Sequence, residues 1–167
     1  MTPQKQTREH PDGDCTRACI ASLLDLPIAE VPDWLAMRQD DDGEGYPTWW
    51  LEMQDWLRRR GLAFVEIQLE RKTWMPLPFE CWAIFIGTHP MGARHSIVGK
   101  CIDAKFVPLW DPMGGDPAIA FINGRVEAVC FLVPTDPSAT KFKSADVRQA
   151  LRRARNSEIN GRPQERD

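Results

Sequence analysis

The stretch DCTRACIASLLDL, residues Asp14–Leu26, sets the N-terminal half of the fold. Its apolar side chains recur every three or four residues, which is the spacing of one buried helical face. They are Cys15, Ala18, Cys19, Ile20, Leu23 and Leu24. Asp14 stands where a helix N-cap is expected, and Pro27 stops the pattern. The stretch therefore predicts a buried helix with Cys15 in its first turn.

The chain changes character after this helix. Pro47 and Gly61 bracket a second apolar-striped helix, because proline suits a first turn and glycine a C-terminus. Beyond Gly61, alternating or continuous apolar runs predict strands at residues 63–69, 81–87, 95–101 and 106–110. Asn123-Gly124 predicts a hairpin between AIAFI and RVEAVCFLV. Helices followed by mostly antiparallel strands indicate an α+β fold.

The length and composition are those of one soluble globular domain. The chain has 167 residues, of which 43% are hydrophobic and 27% charged, which excludes a disordered, collagen-like or coiled-coil protein. The N-terminus MTPQKQTREHPDGD lacks the apolar core of a signal peptide, and no run of eighteen apolar residues follows. Five unevenly spaced cysteines do not suggest a disulfide framework. We therefore expect a cytoplasmic protein with reduced thiols and no membrane partner.

Charge divides the chain into two parts. Residues 141–167 carry eight Lys/Arg against four Asp/Glu, whereas residues 1–140 carry 13 against 20. Ser144 can cap a helix over residues 145–155 within the basic part. We therefore expect a catalytic or binding domain at 1–140 and a basic C-terminal helix with a flexible tail at 141–167. The basic helix could contact nucleic acid, but a solvated helix face is the simpler interpretation.

Cys15 is the first candidate for chemistry. The unpaired N–H groups and the dipole at a helix N-terminus stabilise a thiolate, which is the nucleophilic form of cysteine. The neighbouring anion Asp14 opposes this effect. The alternative is that Cys15 and Cys19, four residues apart, are two small, inert core residues of one helix.

A nucleophilic thiol needs a base, and the base needs a residue that orients it. His95 begins an apolar strand, and Asp111 follows the end of the next one. If these two strands pair as a hairpin, its open end brings His95 and Asp111 together. Cys15, His95 and Asp111 then form a coherent set. The cysteines lack a Cys-x-x-Cys pair, so we expect no zinc site. A cysteine hydrolase built on such a set would act without a cofactor.

The chain resembles papain-like cysteine peptidases at three points in the right order. Gly13-Asp14-Cys15 and the helix after it are similar to their nucleophile helix, in particular that of small bacterial and phage proteins similar to the C39 family of peptidases. His95-Ser-Ile-Val-Gly and Trp110-Asp-Pro-Met are similar to the strands that carry the family's His and its Asp or Asn. The resemblance covers roughly residues 4–115.

The resemblance implies a papain-like fold, with the nucleophile helix packed on a mostly antiparallel sheet, and a cysteine hydrolase. It implies that His95 deprotonates Cys15, that Asp111 orients His95, and that an acyl-enzyme forms on a peptide or protein substrate. The bond is an amide, isopeptide or thioester. The family also uses a Gln before the Cys to bind the oxyanion; Gln6 is the matching residue, with Gln4 as a substitute, although the usual spacing falls on Glu9.

Two tryptophans are candidates for the wall of a substrate groove, Trp82 and Trp110, because both lie on the predicted strand layer. Trp49, Trp50 and Trp56 are more simply explained as core residues of the second helix. Two other functions stay open at this point. The first is a catalytically inactive module that keeps the fold and binds a peptide or protein, and the second is nucleic-acid contact through the basic helix.

Overall fold

The computed structural model describes residues 1–8, 13–34, 48–69, 80–103 and 105–135. Within these ranges the chain is an α+β protein with two α-helices and one five-stranded antiparallel sheet. The helices are α1 (Cys15–Leu23) and α2 (Thr48–Arg58), and the strands are β1 (Leu62–Gln68), β2 (Cys81–Thr88), β3 (Arg94–Ile102), β4 (Lys105–Trp110) and β5 (Ala128–Pro134). The predicted order of helices followed by antiparallel strands is confirmed.

The order of strands across the sheet is β1-β5-β2-β3-β4. The last strand of the described chain, β5, is inserted between β1 and β2, so the first and last strands are neighbours. β2, β3 and β4 follow each other in space as they do in sequence. β4 forms one edge of the sheet, and this position tolerates Pro108, which has no N–H to donate to a further strand.

The two faces of the sheet cover two separate cores. On one face, α1 packs against β2 and β3 and α2 against β1, in a core that includes Ile20, Met53, Ile84 and Val98. On the other face, Phe85 and Ile97 pack against Phe121 of the segment before β5. Alternate residues of a strand point to opposite faces, so consecutive residues of β2 serve different cores.

Close packing on the second face depends on Gly99 of β3. A Cβ built on Gly99 would lie 2.2 Å from the ring of Phe85 and 2.6 Å from the carbonyl oxygen of Val107. A register shift also occurs here, because Val98 pairs with Trp110 whereas Gly99 pairs with Pro108. Such bulges bend a strand and redirect the residues that follow it, which here are Trp110 and Asp111.

Asn123-Gly124 does form a tight turn, with positive φ at both residues, but the predicted hairpin is wrong. The segment before the turn forms 3-10 turns at Pro117–Ile119 and Ile122–Gly124 instead of a strand. The physical reason is that β5 already has β1 on one side and β2 on the other. It therefore has no free edge for a partner from this segment.

The predicted helix, tail and domain boundary in the C-terminal part lie outside the described residues. In the described part of the chain, no helix combines the length and the apolar character needed to cross a membrane.

Candidate active site

Cys15 is the first residue of α1, and Asp14 is its N-cap position. The Asp14 side chain makes no capping hydrogen bond, contrary to the sequence expectation. Its carboxylate instead accepts hydrogen bonds from the backbone N–H of Thr7 (2.7 Å), the hydroxyl of Thr7 (2.8 Å) and Arg17 Nη1 (3.0 Å). Burial opposes its charge, but these donors lower the pKa of Asp14 below its ordinary value. Arg17 therefore compensates the anion that stands next to Cys15.

His95 and Asp111 meet at the end of the sheet where β3 begins and β4 ends. His95 Nε2 lies 2.8 Å from Asp111 Oδ1, and both side chains are almost fully buried. Because a carboxylate only accepts, Nε2 carries the proton of this bond. Asp111 Oδ1 also accepts the backbone N–H of Met113 at 2.8 Å, which fixes the carboxylate. The other ring nitrogen of His95, Nδ1, is therefore left for Cys15.

Cys15 and His95 form a coupled pair. Burial disfavours the thiolate, but the hydrogen bond to His95, the charge of His95 and hydrogen bonds with Ser96 outweigh it and lower the pKa of Cys15. Burial also disfavours the imidazolium, yet the hydrogen bonds to Asp111 and Cys15 raise the pKa of His95 to about 9. Both shifts favour a thiolate–imidazolium pair at neutral pH.

The pKa values of the other buried cysteines are raised rather than lowered. Burial and the nearby negative charges of Cys15 and Asp111 raise the pKa of Cys19 well above its ordinary value, although it is only one turn along α1. Burial and the adjacent Cys81 raise the pKa of Cys101 to about 12, and burial with Glu66 raises that of Cys130. Among these thiols, only Cys15 has its charged form stabilised.

A direct contact holds the nucleophile helix against the strand that carries His95. Thr16 Oγ1 and Ser96 Oγ lie 2.8 Å apart, so the residue after Cys15 is bonded to the residue after His95. Hydrogen bonds with Ser96 also contribute to the lowered pKa of Cys15. The sequence gives one weak indication that Ser96 belongs to the site, because it places a hydroxyl next to His95 in an otherwise apolar strand.

The two candidate glutamines lie at different ends of α1. The Gln6 amide lies against Gly13, where a built Cβ would be 3.5 Å from Gln6 Nε2, two residues before Cys15. Gln6 Nε2 donates to the carbonyl of Arg8 at 2.8 Å, and Gln6 Oε1 is buried without a hydrogen-bond partner. Gln4 is instead bonded to Ser22, near the C-terminus of α1, and to Ile28. The structure therefore places Gln6, and not Gln4, near Cys15; Glu9 lies outside the described residues.

The structure does not bring the two predicted groove tryptophans to the site. Trp82 pairs with Lys100, at the opposite end of the β2–β3 hairpin from Gly87 and His95, because antiparallel register fixes this distance along the strands. Trp110 directly precedes Asp111, but its Nε1 donates to the carbonyl of Gln4 at 3.2 Å and its ring packs with the core under α1.

Two aromatic rings flank His95 that the sequence did not assign to the site. The ring of His89, from the β2–β3 turn, lies edge-on at 5.3 Å between centroids, and that of Phe121 lies at 6.5 Å. The chain passes so close here that a Cβ on Gly87 would lie 2.8 Å from Phe121 and 2.6 Å from the carbonyl of Arg125. These contacts restrict the orientation of the imidazole.

A cleft of about 250 Å³ opens beside Cys15. Cys15 lies on its wall together with Ser96, and the N-terminal parts of α1 and α2 flank it. Its apolar surface comes from Trp34, Trp49, Trp50, Met53, Phe64 and Ile86. Trp49 and Trp50, expected only in the core, therefore also face a cavity next to Cys15.

Among the described residues, no group of three or more His, Cys, Asp or Glu side chains is arranged to hold a metal ion. Comparison with protein families, curated proteins and solved structures finds no match to this chain. The function must therefore be argued from the site itself.

Proposed function

We propose that this chain is a cysteine hydrolase with a papain-like fold, a peptidase or a related amide, isopeptide or thioester hydrolase. The observation that carries the proposal is the position of His95, whose Nε2 lies 2.8 Å from Asp111 Oδ1 and whose imidazole lowers the pKa of Cys15. This is the order of nucleophile, base and orienting acid that acyl transfer to a thiol requires.

The proposed reaction begins with a proton transfer from Cys15 Sγ to His95. The thiolate attacks the carbonyl carbon of the substrate, and the C=O electron pair moves to oxygen. The backbone N–H of Cys15, unpaired at the start of α1, and the Gln6 amide stabilise this oxyanion. His95 then protonates the leaving amine or thiol, which gives an acyl-enzyme.

Water completes the cycle. His95, now neutral, removes a proton from water as it attacks the acyl-enzyme, and returns this proton to Cys15 as the acid departs. Asp111 keeps the proton on Nε2 throughout, so Nδ1 always faces the reacting atoms. Cys19, Cys101 and Cys130 are poor substitutes for Cys15, because burial stabilises their protonated form.

The test is the rate of alkylation of each cysteine by iodoacetamide, read by peptide mass spectrometry from about pH 5 to pH 9. We expect Cys15 to react roughly 10²-fold faster than Cys19, Cys101 and Cys130 near pH 6, because burial raises the pKa of each of those three thiols. His95→Ala should remove this advantage. Lys100→Ala is the matched control, because it removes a cationic side chain from the far end of the same strand, where Lys100 pairs with Glu80.

Circular dichroism of each variant separates a chemical effect from unfolding. If Cys15 reacts as slowly as the other cysteines in the folded wild type, or if His95→Ala leaves its rate unchanged, the hydrolase proposal fails. The inactive binding module then becomes the better explanation of the fold.

A further inference from the structure

The cleft beside Cys15 carries an inference about the substrate, which rests on the proposed function. We infer that this cleft binds one bulky apolar group of the substrate, adjacent to the bond that Cys15 attacks. Cys15 itself lies on the wall of the cleft, so a group held there is attached close to the reacting carbon.

The shape and walls of the cleft favour an aromatic or branched aliphatic group. Trp50 packs edge-on against Trp49 at 5.8 Å and against Phe64 at 5.4 Å, so these rings brace one another. Met53 and Ile86 complete the apolar surface and are almost fully buried. Such rings bind apolar groups at little entropic cost because they are already fixed.

Charge around the cleft argues against an ionic group. Every charged side chain among the described residues that line it has an ion-pair partner. The pairs are Arg17 with Asp14, Arg94 with Glu66, and Arg8 with Asp33. A charged substrate group would lose its hydration in the cleft, where each of these charges is already compensated. Asp33 Oδ1 is buried there without a hydrogen-bond partner among the described residues, but the charge of this carboxylate is compensated by Arg8.

The experiment compares two alkylating agents on the full chain, iodoacetamide and N-benzyl iodoacetamide, which share the same reacting carbon. Each rate is divided by the rate with free glutathione, and the other cysteines serve as internal controls. We expect the benzyl group to accelerate alkylation of Cys15 by roughly tenfold to a hundredfold, with saturation, because burying such a group is worth that factor. Aminoethyl and carboxyethyl analogues should give no acceleration.

Variants locate the effect. Trp50→Ala should remove most of the benzyl advantage, and the milder Trp50→Phe should retain part of it if the alanine variant does not fold. Trp82→Ala is the matched control, because Trp82 is exposed at the far end of the sheet. Trp82→Ala should leave the rates with both reagents unchanged.

The outcomes separate this inference from the proposed function. Fast alkylation by iodoacetamide without a benzyl advantage overturns the apolar cleft and leaves the hydrolase proposal intact. A benzyl advantage with slow iodoacetamide alkylation supports the cleft and contradicts the hydrolase. Equal acceleration by the aminoethyl or carboxyethyl analogue, or a benzyl advantage that survives in folded Trp50→Ala, overturns the inference.

Discussion

Buried thiols lie at both ends of the β2–β3 hairpin, but only at one end do the neighbouring side chains lower the pKa of a thiol. At the first end Cys15 lies beside His95 and its pKa is lowered. At the other end Cys81 and Cys101 are directly opposite each other, and burial together with the neighbouring thiol raises the pKa of Cys101 to about 12.

The difference lies in what faces the sulfur. The far end does have a cation, but Lys100 is paired with Glu80 and lies over the ring of Trp82, 4.6 Å from its centroid. Lys100 and Cys101 are consecutive residues of a strand, so their side chains point to opposite faces. A nearby positive charge therefore does not activate a thiol unless it shares the same face and hydrogen-bonds to the sulfur.

The largest effect that would test this comparison is loss of the Cys15 sulfur. Cys15→Ala should lower hydrolysis of an activated thioester or p-nitrophenyl ester by roughly 10³-fold or more, because the covalent path is removed. Cys19→Ala removes a buried thiol from the same helix and should keep near-normal turnover, with a stability loss of about 1 kcal/mol. Equal rates in Cys15→Ala and wild type would show that Cys15 is not the nucleophile.

The next effect concerns the oxyanion and separates two glutamines. Gln6→Ala should reduce turnover roughly 10²-fold, which is the usual cost of one oxyanion donor, without changing alkylation by iodoacetamide. Alkylation at an alkyl carbon develops no oxyanion, so it reports only the thiolate. Gln4→Ala is the matched control, because Gln4 Oε1 accepts from Ile28 rather than lying against Gly13. A parallel fall in both reactions would assign Gln6 to the thiolate or to folding.

A smaller effect, mainly on pH dependence, is expected from Asp111→Asn. The asparagine oxygen can still accept the Nε2 proton, so turnover at neutral pH should fall only about tenfold. However, the Asp111 hydrogen bond is the main factor that raises the pKa of His95 to about 9. Turnover needs protonated His95 and is lost as pH rises through this pKa, so in the variant it should be lost at lower pH.

The control for this shift is Asp116→Asn, which alters a carboxylate that caps the 3-10 turn Pro117–Ile119. A pH–rate profile of turnover measures both variants. An alkaline limb that stays in place in Asp111→Asn would show that Asp111 does not set the ionisation of His95.

Local pattern predicted most of the elements and the residues of the triad. Helical spacing placed Cys15 at the start of α1, and the pairing of two consecutive strands predicted that His95 and Asp111 would meet. These inferences succeeded because each depends on contacts that are local or span one hairpin. The catalytic roles of these residues remain predictions.

Features that depend on distant pairing could not be predicted in the same way. The insertion of β5 between β1 and β2 removed the hairpin expected at Asn123-Gly124, and no local signal encodes that insertion. The distance between Trp82 and His95 depends on the register of the whole β2–β3 hairpin. The apolar sequence of β2 does not indicate which of its two ends lies beside His95. Phe121 reaches His95 from a segment whose path only the assembled sheet defines.

The smallest effect on the reactivity of Cys15 is expected from substitution of two glycines, one at each side of the comparison between the ends of the β2–β3 hairpin. Both Gly99→Ala and Gly87→Ala overpack the second core and should lower the free energy of unfolding by about 1–3 kcal/mol, measured by urea denaturation. Gly99 contacts Phe85, away from the triad, so Cys15 in folded Gly99→Ala should be alkylated at the wild-type rate. Gly87 faces Phe121 and is paired with His95, so Gly87→Ala should also lower the alkylation rate of Cys15 by a few-fold. If Gly99→Ala slows Cys15 as much as Gly87→Ala does, the two ends are mechanically coupled, and activation of the thiol depends on the whole sheet rather than on its local partners.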